Sequence, residues 1–565
     1  MAAPARGTFL PLLASVTLAL VGHATASWAQ SETVEWEGVE RVIAFADVHG
    51  ADAELRELLH ESGVIDDADR WAAGNAHVVS LGDLLDRGAG SRHVLDLLMR
   101  LQQEARAAGG YLHVVLGNHE AMNLLGDLRY VDAQEYAGYA DLESAADRDE
   151  ARLNDICAAP CAPFDERFPP GYFGHRAAFA PDGRYGSWLL GLPVAIRIDD
   201  TLFMHGGLGR ELGGMSLAEL NQRYRTALTE ALEQPENAED NPMLSQGGPN
   251  WYRGTALCQE ATESDVLLPL LRQFGASRLV IGHTPTRDAR AVTRFAGGVV
   301  KLDTGMNPVY RGRSTALILA GQAVRVLYAG EGGSTEPRPE GVFVTPQGLD
   351  DASVVAALRD GEVEVSGPRA PDELAVSVLI GDLRVPAVFR AGDAGSSRRE
   401  VAAFRLDRLL GLGIVPATVE REVQGRAGVL QARPTRWTTE SQRQQQPVAA
   451  GACELEAQFQ LVYALDALTG NEQRTTDSIL YDADEGLVYV TAFARSFGTG
   501  RELPRYLRAR PPAPGAELRR RVMSLDEPGI AAALGELLDA RARRAILARR
   551  DALSALPAAP EAAPP

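Results

Sequence analysis

Cysteine is scarce, with four residues in a chain of 565. That excludes a disulfide-dense scaffold. Cys157 and Cys161 stand close together in CAAPCAP. Their spacing is wrong for the usual thiol redox motif, and one pair cannot complete a structural zinc site. In an exported chain they suit a small local disulfide. Positive charge is also in short supply, the formal net charge being -20. A general nucleic-acid binder needs basic surface to displace counterions, so that class is excluded. A protein held to membranes by charge is excluded for the same reason. A local basic patch around an anionic substrate remains compatible with the balance.

The first thirty residues stand apart from the fold. One positive charge, Arg6, precedes an apolar run from about Phe9 to Val21, and small-x-Ala patterns end at Ala26 and Ala29. This reads as a secretory signal peptide over residues 1–29, which makes the mature chain periplasmic or secreted. The alternative is an uncleaved anchor, but the run is shorter than the roughly 20 apolar residues that span a bilayer. No stable membrane span is expected after cleavage.

The remainder of the chain is long enough for two or more domains, and 45% apolar content supplies sizeable cores. Short apolar runs (RVIAFA, HVVSL, YLHVVL, TLFMH, SRLVIG) alternate with helical patterns such as ADAELRELLHESG. Alternation of this kind predicts a layered α/β domain. Residues 145–187 are less regular and predict an insertion or cap. VYRGRSTALILAGQAVRVLYAG predicts two closing strands, and EGGSTEPRPEG, residues 331–341, reads as a linker. Beyond it lies a second folded region, with a charged helix near its end and a Pro/Ala-rich tail over 551–565 expected to be disordered.

Polar residues gather where the apolar runs stop. HVVLGNHEAMN ends its run with Asn118 and His119; FADVHG carries Asp47 and His49; LGDLLDRG carries Asp83, Asp86 and Arg87; His205 and His283 lie in FMHGG and IGHTPT. Polar groups at a buried strand end are costly unless something uses them. In open α/β sheets ligands collect at the carboxyl ends of strands. Carboxylate, imidazole and amide oxygen together suit Mn, Fe, Zn or a related ion.

The ordered words DVHG, GDLLDRG, GNHE, HGG and GHT resemble the calcineurin-like metallophosphoesterases, of the phosphoprotein phosphatase type and its bacterial or Shewanella-like branch. The resemblance spans about residues 39–328, within a domain expected over 39–330, and implies an α/β sandwich of central β-sheets with flanking helices. It implies two metal ions, of Mn, Fe, Zn or Ni with Mn favoured. Asp47 and His49 would hold the first, Asp83 would bridge, and Asn118, His205 and His283 would hold the second. His119 would be a general acid oriented by Asp86, and Arg87 would contact phosphate. Arg253 in GPNWYRG is the candidate second phosphate arginine, or else an exposed surface residue. Tyr252 beside it would flank phosphate or only pack the loop. The implied reaction is hydrolysis of a phosphomonoester, in a phosphorylated protein or a small molecule, by a metal-bridging hydroxide. The alternatives are a dinucleoside polyphosphate hydrolase and a metal-containing binding protein without turnover.

Residues 342–550 predict a second α+β domain. VPAVFRAG, NEQRTTDSILYD and GLVYVTAFARSF resemble segments of lipid-kinase-like and secreted-kinase-like folds. In that likeness Gln473 stands at the catalytic aspartate, Ser478 and Ala492 stand at metal-binding positions, and Arg390 and Glu400 stand at the usual Lys–Glu pair. The likeness implies a kinase-like shell without kinase chemistry, serving structure or peptide and protein binding; an unrelated α+β domain is the alternative. All site residues precede residue 331, so the first unit is expected to suffice for hydrolysis.

Overall fold

The strand Arg41–Phe45 shows how the first half is layered. Its side chains alternate, so Val42 and Ala44 enter one apolar cluster and Ile43 and Phe45 another. Both faces are covered, which is why the run reads as continuously apolar. The computed structural model describes residues 33–155, 162–234, 238, 240–341, 349–381, 383–434, 436–445, 451–482 and 484–557. The leader, Cys157 and Cys161 lie outside the described residues.

Two sheets face each other. The first runs in spatial order Ser334–Thr335, Ala323–Tyr328, Thr315–Ala320, Arg41–Phe45, His77–Ser80 and Tyr111–Val114. Its last three strands are parallel, and the expected closing hairpin joins them antiparallel. The second runs Glu35–Trp36, Ala195–Ile198, Thr201–Met204, Arg278–Ile281, Val299–Lys301, Val292–Arg294 and Arg338–Pro339. Ile196, Phe203, Val280 and Val300 of this sheet meet Val42, Val79, Leu81 and Val115 of the other. Helices Asp52–Glu61 and Ser91–Ala107 cover the outer face through Leu55, Leu58, Leu59, Val94, Leu98 and Leu101. This is an α/β sandwich with flanking helices, and the parallel strands bring their carboxyl ends together at one edge.

Three boundaries differ from expectation. Residues 331–341 are not a free linker, because Ser334–Thr335 pairs with the first sheet and Arg338–Pro339 with the second. Backbone pairing at sheet edges overrides the Pro/Gly content that suggested a loop. Residues 145–187, read as irregular, hold helices Ala145–Leu153, Phe164–Arg167, Tyr172–Ala178 and part of Arg184–Gly191. At the C-terminus the helix Ala540–Ser554 runs into the expected tail, because buried Leu553 belongs to the core. Residues 558–565 lie outside the described residues.

The second half is α+β. A five-stranded antiparallel sheet runs Glu362–Ala370, Glu373–Ile380, Leu383–Ala391, Arg426–Ala432 and Thr418–Val423. A three-stranded sheet holds Trp437–Thr439, Ile479–Asp482 and Val488–Val490. Val378, Phe389, Leu406, Leu461, Leu465 and Ile546 belong to its core, which also takes in Ala261 from the first half. Helix Glu260–Gln273 packs on helices Leu455–Thr469 and Ala516–Met523. A disulfide, Cys258–Cys453, crosses 195 positions of sequence to join the halves. Val34–Pro565 forms one compact unit. Among the described residues no helix is long and apolar enough to cross a membrane.

Candidate metal centre

The ends of strands Arg41–Phe45, His77–Ser80, Thr201–Met204 and Arg278–Ile281 deliver Asp47, Asp83, His205 and His283 within a few residues of each last pairing. Asn118 and His119 open the helix Asn118–Leu125 that follows strand Tyr111–Val114. To turn side chains inward so soon after a strand, the backbone enters the left-handed region. Asp47, His49, Asp83, Asp86, Arg87 and His283 all have positive φ. Non-glycine residues adopt this at a cost and cluster this way at functional sites. Glycine is required at 82 and 117: Gly82 has φ +90°, and a Cβ on Gly117 would come 2.4 Å from Asp83 Oδ1.

Two groups of ligand atoms result, His49–Asp83–His119 and Asp83–His205–His283, each within 4.8 Å and fully buried. Asp83 belongs to both. Each imidazole of His49, His205 and His283 gives one N–H to a carbonyl. His49 Nδ1 donates to Leu85 O at 2.9 Å, His205 Nδ1 to Leu81 O at 2.8 Å, and His283 Nε2 to Trp251 O at 3.1 Å. The other nitrogen is left as a lone pair, the arrangement of a metal-ligating histidine. His205 Nε2 then faces Asn118 Oδ1 at 2.9 Å and Asp83 Oδ1 at 3.2 Å. These nitrogen and oxygen atoms converge as the ligands of a cation would.

The charges agree. Burial, then Asp303 and Asp83, push the Asp47 carboxyl well above its usual range. Burial and the Asp83 charge raise Asp303 to about 6. For Asp83, burial acts upward but His205, His119 and His49 together hold it well below. Burial first, then Arg253, lowers His283; burial brings His49 down to about 4. Crowded carboxylates in a dry pocket are the electrostatic counterpart of bound cations.

His119 differs from the other imidazoles. Its Nδ1 lies 2.5 Å from Asp86 Oδ2, and Asn123 Nδ2 holds Asp86 Oδ1 at 2.9 Å. Its Nε2 is 3.8 Å from Asp83 Oδ2. Burial acts to lower its pKa, but the facing Asp83 and Asp86 carboxylates outweigh that and hold it above the usual value. Arg87 lies over the Tyr130 ring at 4.5 Å and the Tyr310 ring at 5.5 Å, and its buried Nε has no hydrogen-bond partner among the described residues. Arg253 is half-buried rather than a surface residue, its Nη1 donating to His283 O at 2.8 Å and Thr284 Oγ1 at 3.0 Å. Tyr252 only packs the loop, with its hydroxyl on Glu263 at 2.9 Å.

The structure thus brings all ten expected residues to one edge of the sandwich. It adds residues that the motifs did not single out. Glu120 accepts from Asp83 N, Leu84 N and Gly117 N at 2.7–2.9 Å and so fixes the Asp83 loop. Asn307 Nδ2 holds His49 O at 2.6 Å. Asp303 is a further buried carboxylate beside the centre. Glu120 sat within the GNHE word; Asn307 and Asp303 lie in LDTGMNP, whose polar stop after an apolar run was the available signal.

A fold of this kind with a shared-carboxylate double site defines a metal-dependent hydrolase. Comparison with known proteins places it further. The family described as calcineurin-like phosphoesterase matches residues 40–287. An uncharacterized protein of Schizosaccharomyces pombe is 31% identical over 283 residues, 49% of this chain and 76% of that protein. Shewanella-like protein phosphatase 2 of Arabidopsis thaliana is 29% identical over 303 residues, 49% of this chain and 75% of that protein. The crystal structure of a cold-active protein-tyrosine phosphatase of a psychrophilic Shewanella is similar at 30% identity and a TM-score of 0.45, over 55% of this chain and 84% of that one. The chain belongs to the calcineurin-like phosphoesterases.

Proposed function

We propose that this chain is a dimetal phosphomonoesterase acting on phosphorylated protein, and the observation that carries it is the pair of ligand clusters sharing Asp83, with the His119–Asp86 pair beside them. Asp47, His49 and Asp83 would hold one cation, and Asp83, Asn118, His205 and His283 the other. The nitrogen and oxygen donors suit Mn, which we favour, as well as Fe, Zn or Ni. When bound, such ions would supply Lewis-acid activation of water near neutral pH and neutralise charge on the phosphoryl group. The chain's own groups do the rest. Arg87 and Arg253 align the phosphoryl group through their planar forks. Asp86 fixes the His119 ring so that Nε2 carries the proton facing the ester. As the bond from phosphorus to the ester oxygen breaks, that proton passes to the departing oxygen, while water gives its hydroxide to phosphorus and its proton to solvent, from which His119 is reprotonated. Tyr130 and Tyr310 flank Arg87 and give the phosphate slot aromatic walls.

The name of the Arabidopsis relative supports protein as the substrate. Export, with residues 1–29 as leader, is supported by the buried Cys258–Cys453 bridge, since such bonds persist in oxidising compartments. We read the chain as a hydrolytic domain over 39–330 and an α+β domain over 342–550. The kinase-like reading of the latter is supported by the Arg390 Nη1–Glu400 Oε1 contact at 3.4 Å. Ser478 is engaged by Arg474, and Ala492 offers no metal ligand, so transfer chemistry is not part of it. A peptide or protein partner is its proposed role.

The test is turnover by the mature chain on an aryl phosphate, phosphopeptides and a dinucleoside polyphosphate, with Mn, Fe, Zn or Ni. Hydrolysis of phosphopeptides above the dinucleotide is expected. Bound metal without turnover of any substrate would leave a binding protein instead.

A further inference from the structure

The two arginines of the candidate site are held in different ways. Arg253 has Nη1 engaged by two neighbours, His283 O at 2.8 Å and Thr284 Oγ1 at 3.0 Å. The Arg87 guanidinium makes no hydrogen bond or ion pair among the described residues, although its Nε is buried. Its backbone sits at φ +65°, a costly conformation for a residue of this size. A side chain this long also has much rotamer freedom to give up before it can grip a ligand. Something other than a carboxylate must keep it in place.

Tyr130 does so from two directions. The Arg87 N–H donates to Tyr130 O at 2.9 Å, and the guanidinium carbon lies 4.5 Å from the centre of the Tyr130 ring. An aromatic face attracts a guanidinium through its quadrupole. Unlike a carboxylate, it occupies none of the N–H donors. Tyr310 adds a second ring at 5.5 Å. The Tyr130 ring also stands 5.2 Å from the His119 ring, so one side chain lies beside both the arginine fork and the imidazole held by Asp86. Core packing does not account for it. Tyr130 lies between helices Asn118–Leu125 and Ala133–Ala137, is 37% exposed, and belongs to none of the apolar core clusters.

We propose that Tyr130 is a positioning residue that presets Arg87 for an anion. Its ring and carbonyl fix the guanidinium plane and leave the N–H groups open to phosphoryl oxygens. Restricting the fork before the ligand arrives lowers the ordering cost of binding. The ring is the working part, and the phenol hydroxyl is not needed. That the anion is the phosphoryl group of a substrate rests on the proposed function; the clamp itself does not.

The test uses the zinc-loaded full chain, zinc being diamagnetic, with Tyr130→Phe and Tyr130→Leu, each also combined with Arg87→Ala. The Arg87 Nε–H resonance, assigned by its loss in Arg87→Ala, reads the clamp without turnover. It should exchange slowly with solvent in the parent and in Tyr130→Phe, and rapidly in Tyr130→Leu. Calorimetric binding of inorganic phosphate reads the consequence. Tyr130→Leu should weaken it about tenfold, the scale of a partly desolvated cation–π contact, with metal content and Tm near the parent's. Tyr130→Phe should bind as the parent does. In the Arg87→Ala background, Tyr130→Leu should change phosphate affinity no further, because it acts through Arg87. An Nε–H that exchanges as fast in the parent as in Tyr130→Leu, a phosphate affinity that ignores Tyr130→Leu, a Tyr130→Phe variant as weak as the leucine one, or a tenfold loss that persists without Arg87 would each overturn the positioning role and leave the phosphatase reading standing. A parent whose Nε–H is slow but which binds no phosphate would overturn the anion role and count against that reading as well.

Discussion

His119 and Asp83 sit 3.8 Å apart but answer to different partners. Asp86 holds the imidazole from behind, so removing the ring takes away the proposed proton donor and leaves the proposed ligand nitrogens of His49, His205 and His283 in place. His119→Ala should keep both metals and lower kcat by about 10²–10⁴, with the smaller loss on leaving groups that need no proton, such as nitrophenolate. Asp83→Asn removes the one carboxylate common to both clusters and should lower metal occupancy itself. Metal analysis beside kinetics separates the two. Ions lost from the His119 variant and kept in the Asp83 variant would make His119 a ligand, which its place in the first cluster allows on distance alone.

The residues legible in the sequence were those whose jobs are local to a word. Asp47, His49, Asp83, Asp86, Arg87, Asn118 and His119 come directly after strand ends, and glycine beside them marks the turn that aims them. The supports were not legible, because their partners are far away along the chain. Asn307 reaches His49 across 258 positions and Cys258 reaches Cys453 across 195. Strands buried on both faces were equally plain. Edge strands as short as Ser334–Thr335 carry no periodicity, and that segment read as a linker. The helix Glu260–Gln273 shows another hidden property. Its Glu263 is buried beneath the Tyr252 hydroxyl, and burial raises its pKa to about 7. A folded pKa above the unfolded value near 4.5 means that the fold favours the protonated acid. The contribution is complete below about 4.5 and is lost as pH rises through about 7, on the order of 3 kcal/mol in all. The parent should therefore lose more stability between pH 5 and pH 8 than Glu263→Gln does. Urea midpoints of both at the two pH values give the double difference, and parallel pH profiles would show that Glu263 ionises freely in the fold.

At the scale of the molecule the chemistry and its support lie in different halves. Every proposed ligand, the acid and both arginines precede residue 331, which argues that residues 31–330 suffice for hydrolysis. The contacts of Arg253 argue for a dependence on the rest. Arg253 caps the four-residue helix Gly254–Leu257, too short to hold itself, and the next residue is Cys258. Arg294 clasps the far end of that turn through Thr255 O at 2.7 Å and Cys258 O at 2.5 Å. The bridge to Cys453 fastens it to the second half, and two residues after Cys258 begins the helix whose Asp265 accepts Glu517 N at 2.9 Å. Truncation at 330 removes the bridge, the Glu340 partner of Arg294, and the cover over Ala261. Cys453→Ser removes only the bridge. The full chain carrying Cys453→Ser should lose about 2–4 kcal/mol of stability and keep most of its kcat. The 31–330 fragment should bind metal through the intact clusters but show a raised KM for aryl phosphate, because the turn bearing Arg253 is no longer held from both sides. Metal content, kcat and KM measured on the parent, the serine variant and the fragment distinguish these effects. A fragment matching the parent in all three would make the second half dispensable for hydrolysis, and a metal-free fragment rescued by adding residues 342–565 would make it part of the site's own fold.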